Sequence, residues 1–301
     1  MNILLINHYA GSPRHGMAFR PYYLAREWVR AGHRVRIVAA DNSHIRARQP
    51  ELAGMARLDE TIDGVAYSWY RTPGYRGNGI GRVKNMGAFV TALYRDSKRL
   101  ARVVKPDLVI ASSTYPMDIW PARRIARLAK ARLLFEVHDL WPLSPMELGG
   151  MSKWHPFIML VQRAEDYAYR HADVVVSMLP KVREYMESRG LAPEKLHFVP
   201  NGIDPEEWLD TRPELPEEVG KLFYRLRMQG KAIVGYAGTH GVSNALDNML
   251  SAARLMRGEK VAFVLVGGGP IDVCGCRPLR RKARCARQRC EIGRASCRER
   301  V

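Results

Sequence analysis

The sequence predicts an α/β protein built around a parallel sheet. Short apolar segments with strand character alternate along the chain with longer segments of helical period, as in successive strand–helix–strand units. Glycine-bearing loops follow several predicted strands, and 47% of the residues are hydrophobic, which is enough to form a sizeable core. The alternation is complete over residues 1–203 and begins again after a Pro- and Glu-rich stretch.

The first domain is predicted over 1–203 and opens with a strand at 3–6, a loop from Gly11 to Gly16 and a helix at 17–31. Gly32 would end that helix in the left-handed conformation. Six further strands are predicted at 33–39, 65–70, 108–111, 133–137, 174–177 and 197–199. Four further helices are predicted at 88–104, 119–130, 157–171 and 180–189. These elements are enough for one doubly wound domain.

A second, smaller domain is predicted after a linker at 204–230, whose prolines and glutamates favour irregular chain. Residues 231–270 predict a single strand–helix–strand module, with strands at 232–236 and 261–266 and a helix at 245–256. A module of roughly 40 residues buries too little apolar surface to be stable alone. We therefore expect 231–270 to be an incomplete domain.

The final segment, 271–301, differs from the rest of the chain. It holds all five cysteines, ten Lys or Arg against three Asp or Glu, and no apolar periodicity, so we expect it to be disordered. Its cysteines lack zinc-site spacing and accompanying histidines, which gives no reason to expect a metal. Because charge, cysteine use and periodicity change together, we interpret the segment as a non-native tail. A native tail that contacts nucleic acid or membrane is the alternative.

The body of the chain is moderately basic, with 38 Lys or Arg and 27 Asp or Glu over 1–270. This balance favours an anionic partner, such as a phosphorylated substrate or an acidic membrane surface. The absence of cysteine there fits a reducing compartment, and no apolar run approaches the roughly 20 residues of a spanning helix. We expect a cytoplasmic protein, with peripheral attachment to the inner face of the plasma membrane as an open alternative.

Positive charge is concentrated in residues 71–105, which contain nine Lys or Arg and one acid. Four of the basic residues repeat at helical spacing and share one face, behind a glycine-rich loop. Such a face suits an anionic membrane or a charged acceptor, although a merely solvated face is the alternative. The residues assigned to this acceptor or membrane side are Arg76, Arg82, Arg95, Lys98, Arg99 and Arg102.

Loops at the carboxyl ends of predicted strands supply the remaining candidate residues. Gly16 precedes a helix, where a phosphate could approach the backbone, although an ordinary turn explains it equally well. His138 lies where ligands bind open α/β sheets, with a histidine satisfied by the backbone as the alternative. Two glycine turns, 238–241 and 267–269, follow the two strands of the second module and could line one crevice.

Four segments together resemble family 4 glycosyltransferases of the GT-B fold, and most of all the bacterial subgroup that builds O-antigen and other polysaccharides. The segments are Asn7-His8-Tyr9 with Gly11 and Gly16, residues 136–142, residues 199–204, and residues 235–239. The resemblance implies two Rossmann-like domains, with the acceptor on the first and the nucleotide sugar on the second. It implies retaining transfer without a metal or other cofactor. His138 would be the catalytic residue, and the donor-binding residues would be Gly16, Thr239, His240, Gly241 and Gly268.

The resemblance also implies that the donor domain is truncated, because the pair of glutamates that holds the donor in this family has no counterpart before the chain ends. We therefore expect a glycosyltransferase that moves a sugar from a nucleotide-sugar donor to a lipid-linked or polysaccharide acceptor, with no nucleic-acid partner, and that is inactive as this fragment. A non-catalytic nucleotide- or sugar-binding Rossmann-like module is the alternative. An NAD-type oxidoreductase is disfavoured by the missing GxGxxG motif.

Deleting residues 271–301 is expected to leave the thermal midpoint nearly unchanged, because a disordered segment buries no apolar surface. Scanning calorimetry of residues 1–270 beside residues 1–301 measures the difference. A fall of many degrees would show that the tail belongs to the fold.

Overall fold

A computed structural model describes residues 1–77, 79–209, 216–241 and 244–267. The chain divides into two compact units, Met1–Ile203 and Asp204–Val301. The predicted tail at 271–301 and the candidate donor residue Gly268 lie outside the described residues. No helix in the described ranges combines the length and apolar character that crossing a membrane requires.

The first unit contains an eight-stranded sheet with the order β3-β4-β2-β1-β5-β6-β7-β8. Every neighbouring pair is parallel except β3 and β4, which are antiparallel. The strands are β1 (Asn2–Ile6), β2 (Arg34–Ala40), β3 (Arg57–Ile62), β4 (Val65–Tyr70), β5 (Leu108–Ala111), β6 (Arg132–Val137), β7 (Val174–Ser177) and β8 (Leu196–Phe198). The predicted α/β class is therefore confirmed.

The edge strand β3 was not predicted from the sequence. Its sequence, RLDETI, carries three charged side chains and buries only Ile62, so it lacks the apolar pattern of the other strands. It forms because the turn at Asp63 and Gly64 directs it back along β4, where the two strands pair from Ile62 with Val65 to Arg57 with Tyr70. Charged residues are common on edge strands because they discourage pairing with other chains.

Six α-helices lie in the described part of the first unit. They are α1 (Arg20–Arg30), α2 (Ile80–Val104), α3 (Ile119–Ala129), α4 (Leu143–Glu147), α5 (Pro156–His171) and α6 (Arg183–Ser188). Helix α2 begins eight residues earlier than predicted, because its first two turns contain Gly81 and Gly87 and lack a regular apolar stripe. Helix α6 is shorter than predicted and begins only at Arg183, after Lys181 has adopted a positive φ.

Alternate residues of β1 enter two separate apolar layers. Leu4 and Ile6 pack in a layer with buried residues of α2, α3 and α5, whereas Ile3 and Leu5 pack in a layer with residues of α1. This burial on both faces explains why β1 reads as a continuous apolar run rather than as an alternating one. The helices therefore cover both faces and leave the carboxyl edge of the sheet for a site.

The second unit contains the helices α7 (Pro205–Leu209), α8 (Glu217–Met228) and α9 (Leu246–Leu255), and the strands β9 (Ala232–Ala237) and β10 (Val261–Val266). The two strands are parallel, with Ala232 opposite Val261. Residues 204–230, which were expected to be an irregular linker, contain α7 and α8. Helix α7 starts with Pro205, Glu206 and Glu207, and α8 starts after Pro216 with Glu217 and Glu218; both residue types are favourable at helix starts.

Candidate active site

The carboxyl ends of β1, β5 and β6 meet near the middle of the sheet edge. The chain proceeds outward from β1 through β2 and β4, and later returns to the opposite side of β1 with β5. Ligands of open α/β sheets bind at such a reversal of strand order. Here Nδ2 of Asn7 donates to the carbonyl oxygen of Ser112 at 2.5 Å, and the N–H of His8 donates to Oγ of Ser113 at 3.0 Å. These bonds hold the loops after β1 and β5 together.

A buried carboxylate, that of Glu136 in β6, lies beside these loops. Oγ of Ser112 donates to Oε2 of Glu136 at 2.6 Å, and Arg20 donates to Oε1 from Nε at 3.1 Å and Nη2 at 2.9 Å. Burial alone would raise the pKa of this carboxyl. The hydrogen bonds from His138 and Ser112, with the positive charge of Arg20, outweigh that effect and lower the pKa to about 2. Glu136 is therefore ionised at neutral pH.

Arg20, the first residue of α1, connects this carboxylate to the segment after β8. Its Nη2 donates to the carbonyl oxygen of Val199 at 2.8 Å, and its Nη1 donates to the carbonyl oxygen of Pro200 at 2.9 Å and to Oδ1 of Asn201 at 3.1 Å. No role was predicted for Arg20 or Glu136 from the sequence. A signal was present, since a basic residue in the first turn of a helix is electrostatically unfavourable unless it has another partner.

The hydrogen-bond pattern determines which nitrogen of His138 carries the proton. Nε2 lies 2.9 Å from Oγ of Ser112 and 3.2 Å from Oε2 of Glu136. The single hydroxyl proton of Ser112 is donated to Glu136, so Nε2 must be the donor in both contacts. In the neutral ring Nδ1 is then a hydrogen-bond acceptor, and the carboxylate behind the ring increases its electron density. The side chain is 17% exposed, so a ligand can reach it.

Arg82 lies against the rings of Tyr9 and Trp141 at the same edge. His44 contacts Tyr9 and Tyr75, and together these five residues form what we call the aromatic–arginine cluster. Nε of Arg82 donates to the hydroxyl of Tyr9 at 3.2 Å, and its guanidinium lies 5.6 Å from the centre of the Trp141 ring. The hydroxyl of Tyr75 lies 2.7 Å from Nδ1 of His44. Burial and the charge of Arg82 lower the pKa of His44, which favours its neutral form. Flat rings beside a fixed cation suit a carbohydrate that carries an anionic group.

The loop between β1 and α1 is a tight turn in which Ser12 pairs with Gly16. Gly16 has a φ of +89°, and a methyl group on it would lie 3.2 Å from Cβ of Ala47. A methyl group on Gly11 would lie only 1.8 Å from the carbonyl oxygen of Gly16. The loop therefore depends on Gly11 for close backbone packing, and on Gly16 for a left-handed conformation.

The donor-side candidates Thr239, His240 and Gly241 follow β9 in the second unit. A methyl group on Gly267 would lie 1.8 Å from the carbonyl oxygen of Gly238, so the turns after β9 and β10 are in contact. The hydroxyl of Tyr236 donates to the carbonyl oxygen of Thr239 at 2.9 Å and supports the first turn. Thr239 is exposed, whereas His240 is buried.

The predicted basic face lies on α2. Arg95, Lys98 and Arg102 are exposed, as is Arg76 in the preceding loop. Arg99 differs, because it is half-buried and its Nη2 lies 2.6 Å from Oδ2 of Asp96. The sixth residue of this set, Arg82, belongs to the aromatic–arginine cluster at the sheet edge. The six residues therefore fall into three groups. Four are exposed on α2 or in the loop before it, Arg99 is held in an ion pair, and Arg82 lies at the sheet edge.

The family model of the glycosyl transferase 4-like domain matches residues 15–202 of this chain. The chain belongs to this family. The match includes Arg20, Ser112, Glu136 and His138. It also includes residues 199–201 after β8, which Arg20 contacts. The predicted family is confirmed.

Two similar proteins are named as glycosyltransferases. WbjE of Pseudomonas aeruginosa is 27% identical over 177 residues, which are 58% of this chain and 42% of the relative. WcaI of Escherichia coli (strain K12), whose name adds colanic acid biosynthesis, is 25% identical over 250 residues, or 81% of this chain and 60% of the relative. The chain thus spans between two fifths and three fifths of the length of these relatives.

Among solved structures, the chain is similar to HepE of Anabaena in complex with UDP and glucose. The TM-score is 0.53 with 15% identity, and the likeness covers 89% of this chain and 61% of HepE. At this identity the comparison concerns the fold, which is the α/β arrangement of GT-B glycosyltransferases.

Replacing Gly11 with alanine is expected to lower the free energy of unfolding by 3 kcal/mol or more, about the upper range for overpacking, because the methyl group meets backbone atoms. Gly87→Ala is the matched control, since Gly87 lies in α2 with open space around its Cβ position. That control should gain about 0.5–1 kcal/mol. Guanidinium denaturation followed by circular dichroism measures both. Equal effects of the two variants would contradict this account of the loop.

Replacing Glu136 with glutamine is expected to destabilise the protein at pH 7 by on the order of 2–3 kcal/mol. The folded-state pKa of about 2 lies below the ordinary value of 4.5, so the carboxylate stabilises the fold above pH 4.5 and loses this effect as the pH falls towards 2. The difference between parent and variant should therefore shrink over that interval in urea denaturation. Glu187→Gln, at an exposed pair with Arg183, is the control and should change little at any pH. A difference independent of pH would exclude this role for Glu136.

Proposed function

We propose that this chain is the acceptor-side domain and the first donor-side module of a retaining glycosyltransferase. The enzyme would transfer a sugar from a nucleotide-sugar donor to a lipid-linked or polysaccharide acceptor in cell-surface glycan synthesis. Family membership supports glycosyl transfer. The name of WcaI, which includes colanic acid biosynthesis, supports a polysaccharide product. The UDP and glucose bound to HepE support a nucleotide-sugar donor.

The observation that carries the proposal is the arrangement of Ser112, Glu136 and His138 at the switch in strand order. His138 is assigned as the catalytic residue, with Nδ1 accepting a hydrogen bond from a hydroxyl of the donor sugar. As positive charge develops on the sugar ring, the electron-rich Nδ1 and the negative charge of Glu136 stabilise it. The imidazole is held in place before the donor binds, because Ser112 and Glu136 both contact Nε2.

Arg20 acts as a positioning residue for His138. It keeps Glu136 ionised and orients it, and its contacts with Val199 and Pro200 tie β6 to the segment that precedes the second unit. A buried carboxylate without such a cation would be protonated more readily and would lose its influence on the imidazole. The ion pair therefore maintains the proton arrangement on which the histidine depends.

On the acceptor side we assign the aromatic–arginine cluster, with Arg82 as the charged contact and Tyr9 and Trp141 as ring contacts. Arg76 and the exposed residues of α2, namely Arg95, Lys98 and Arg102, would face an anionic acceptor or the inner face of the plasma membrane. Arg99 would support that face through its ion pair with Asp96. Attachment of a cytoplasmic protein to an anionic membrane would then follow from charge.

On the donor side we assign Gly16 from the first unit, and Thr239, His240, Gly241 and Gly268 from the second. Backbone N–H groups in glycine turns can bind a diphosphate. They would then balance the negative charge that a metal ion would otherwise balance. We therefore propose that transfer needs no bound metal or other cofactor. Residues 1–301 would be inactive alone, since they span only part of the length of the relatives.

Residues 1–301 are expected to show no sugar transfer, and a longer polypeptide encoded by the same gene is expected to transfer sugar in the presence of EDTA. In that polypeptide His138→Ala should lower kcat by about 10²–10³-fold, the loss typical of removing one preorganised electrostatic contact. Incorporation of radiolabel from a panel of nucleotide sugars into lipid-linked and polysaccharide acceptors measures both.

His197→Ala is the matched control, because His197 is an exposed residue of the edge strand β8 and should leave kcat unchanged. Turnover by residues 1–301 would contradict the proposed inactivity. Binding of a nucleotide sugar without transfer by the longer polypeptide would instead identify a non-catalytic binding module. Full activity of His138→Ala would contradict the assignment of the catalytic residue.

A further inference from the structure

A groove of about 550 Å³ lies on the outer surface of α3, between α2 and α5, and is separate from the site at the sheet edge. We call it the α3 groove. All of its lining residues belong to the first unit. Three arginines and three aromatic residues account for most of the lining: Arg123, Arg124, Arg127, Tyr94, Trp120 and Tyr167.

The amphipathic character of α3 places the arginines there. Ile119, Ala122 and Ile125 belong to the buried face of α3, and the arginines lie on its other side. Arg123 and Arg127 are four residues apart and Arg124 and Arg127 three apart, so all three lie on one side of the helix. Three positive charges on adjacent turns repel one another and are destabilising unless something negative balances them.

Aromatic rings, rather than carboxylates, hold two of these arginines. The guanidinium of Arg123 lies 5.0 Å from the centre of the Tyr167 ring, and its Nη1 donates to the hydroxyl of Tyr167. The guanidinium of Arg124 lies 4.5 Å from the centre of the Tyr94 ring. Across the described residues, no Asp or Glu oxygen lies within 4.0 Å of any of the three guanidiniums. A ring orients a guanidinium but does not cancel its charge.

The groove also contains an unpaired donor. Nε of Arg124 is buried and has no hydrogen-bond partner within the described part of the chain. A buried N–H group without an acceptor is rare in native structures, and each case needs a reason. An anion seated among the three guanidiniums would supply the missing negative charge and offset the uncompensated Arg124, with terminal guanidinium nitrogens as its hydrogen-bond donors.

We propose that the α3 groove binds a phosphate ester. Guanidinium groups match the oxygen geometry of phosphate with paired N–H donors, and rings already fix the orientation of two of the three. Trp120 and Leu128 line the same groove and provide an apolar wall for the group esterified to the phosphate. Lys98, one helical turn beyond Tyr94 in α2, is exposed and adds to the positive field at one side. The same chemistry is carried by soluble phosphorylated metabolites and by phospholipid headgroups.

The test uses residues 1–301 and two arms that separate these sources. Phenyl phosphate is titrated by isothermal calorimetry, with phenol as the ligand that lacks the phosphate. Flotation is measured with vesicles of phosphatidylcholine, with and without phosphatidylglycerol. Saturable binding to phenyl phosphate is the result expected of a metabolite site, and flotation only with phosphatidylglycerol is the result expected of a headgroup site.

In either arm Arg123→Gln with Arg127→Gln is expected to weaken binding by about tenfold or more. The matched control, Arg34→Gln with Arg132→Gln, removes the same charge from exposed positions at the amino edge of the sheet and should leave binding within about twofold. The double Arg→Lys variant at 123 and 127 keeps the charge but loses the paired donors, and it should bind with intermediate affinity. Absence of binding in both arms, or equal losses in the groove pair and the control pair, would overturn the proposal.

Discussion

The buried ion pair between Arg20 and Glu136 is the contact on which the carboxyl edge of the sheet depends. Both side chains are almost withdrawn from solvent, at 11% and 5% exposure, so each charge would be costly without the other. The pair joins the start of α1, the end of β6 and the segment after β8. This ion pair fixes the geometry of the site as well as stabilising it. Its hydrogen bonds form only when α1, β6 and the segment after β8 are correctly placed relative to one another.

The same pair determines the chemical state of His138. An ionised Glu136 accepts a hydrogen bond from the hydroxyl of Ser112, and this leaves Nε2 of the imidazole as a donor and Nδ1 as an acceptor. Protonation of the carboxyl would remove that constraint, because the hydroxyl of Ser112 could then donate to Nε2 instead of to Glu136. Fold stability and the proposed transfer chemistry are thus coupled through one carboxylate.

Much of this arrangement could be predicted from the sequence, and the part that could not has a common cause. The apolar runs of β1, β5 and β6 were evident, and so was His138, because it directly follows a strand. Arg20 stands 116 residues from Glu136, and no local spacing rule connects them. Edge strand β3 was hidden because antiparallel pairing through a tight turn, rather than its own apolar pattern, makes it a strand. Local patterns therefore identified elements and candidate positions, whereas the pairing of distant charges required the three-dimensional fold.

Arginine illustrates this limit most clearly. Arg20 pairs with a buried carboxylate, and Arg82 contacts rings at the site. Arg46 lies 4.9 Å from the centre of the Trp69 ring, where burial lowers its pKa to about 10. In the sequence all are simply positive charges, and only the regular spacing on α2 made any of them conspicuous. The α3 groove has the same helical spacing, but its significance lies in the rings beside the arginines and the absence of nearby carboxylates in the described chain. The sequence therefore gives the number of positive charges. The side chains around each arginine determine whether it stabilises the fold, contacts a substrate or is available to bind an anion.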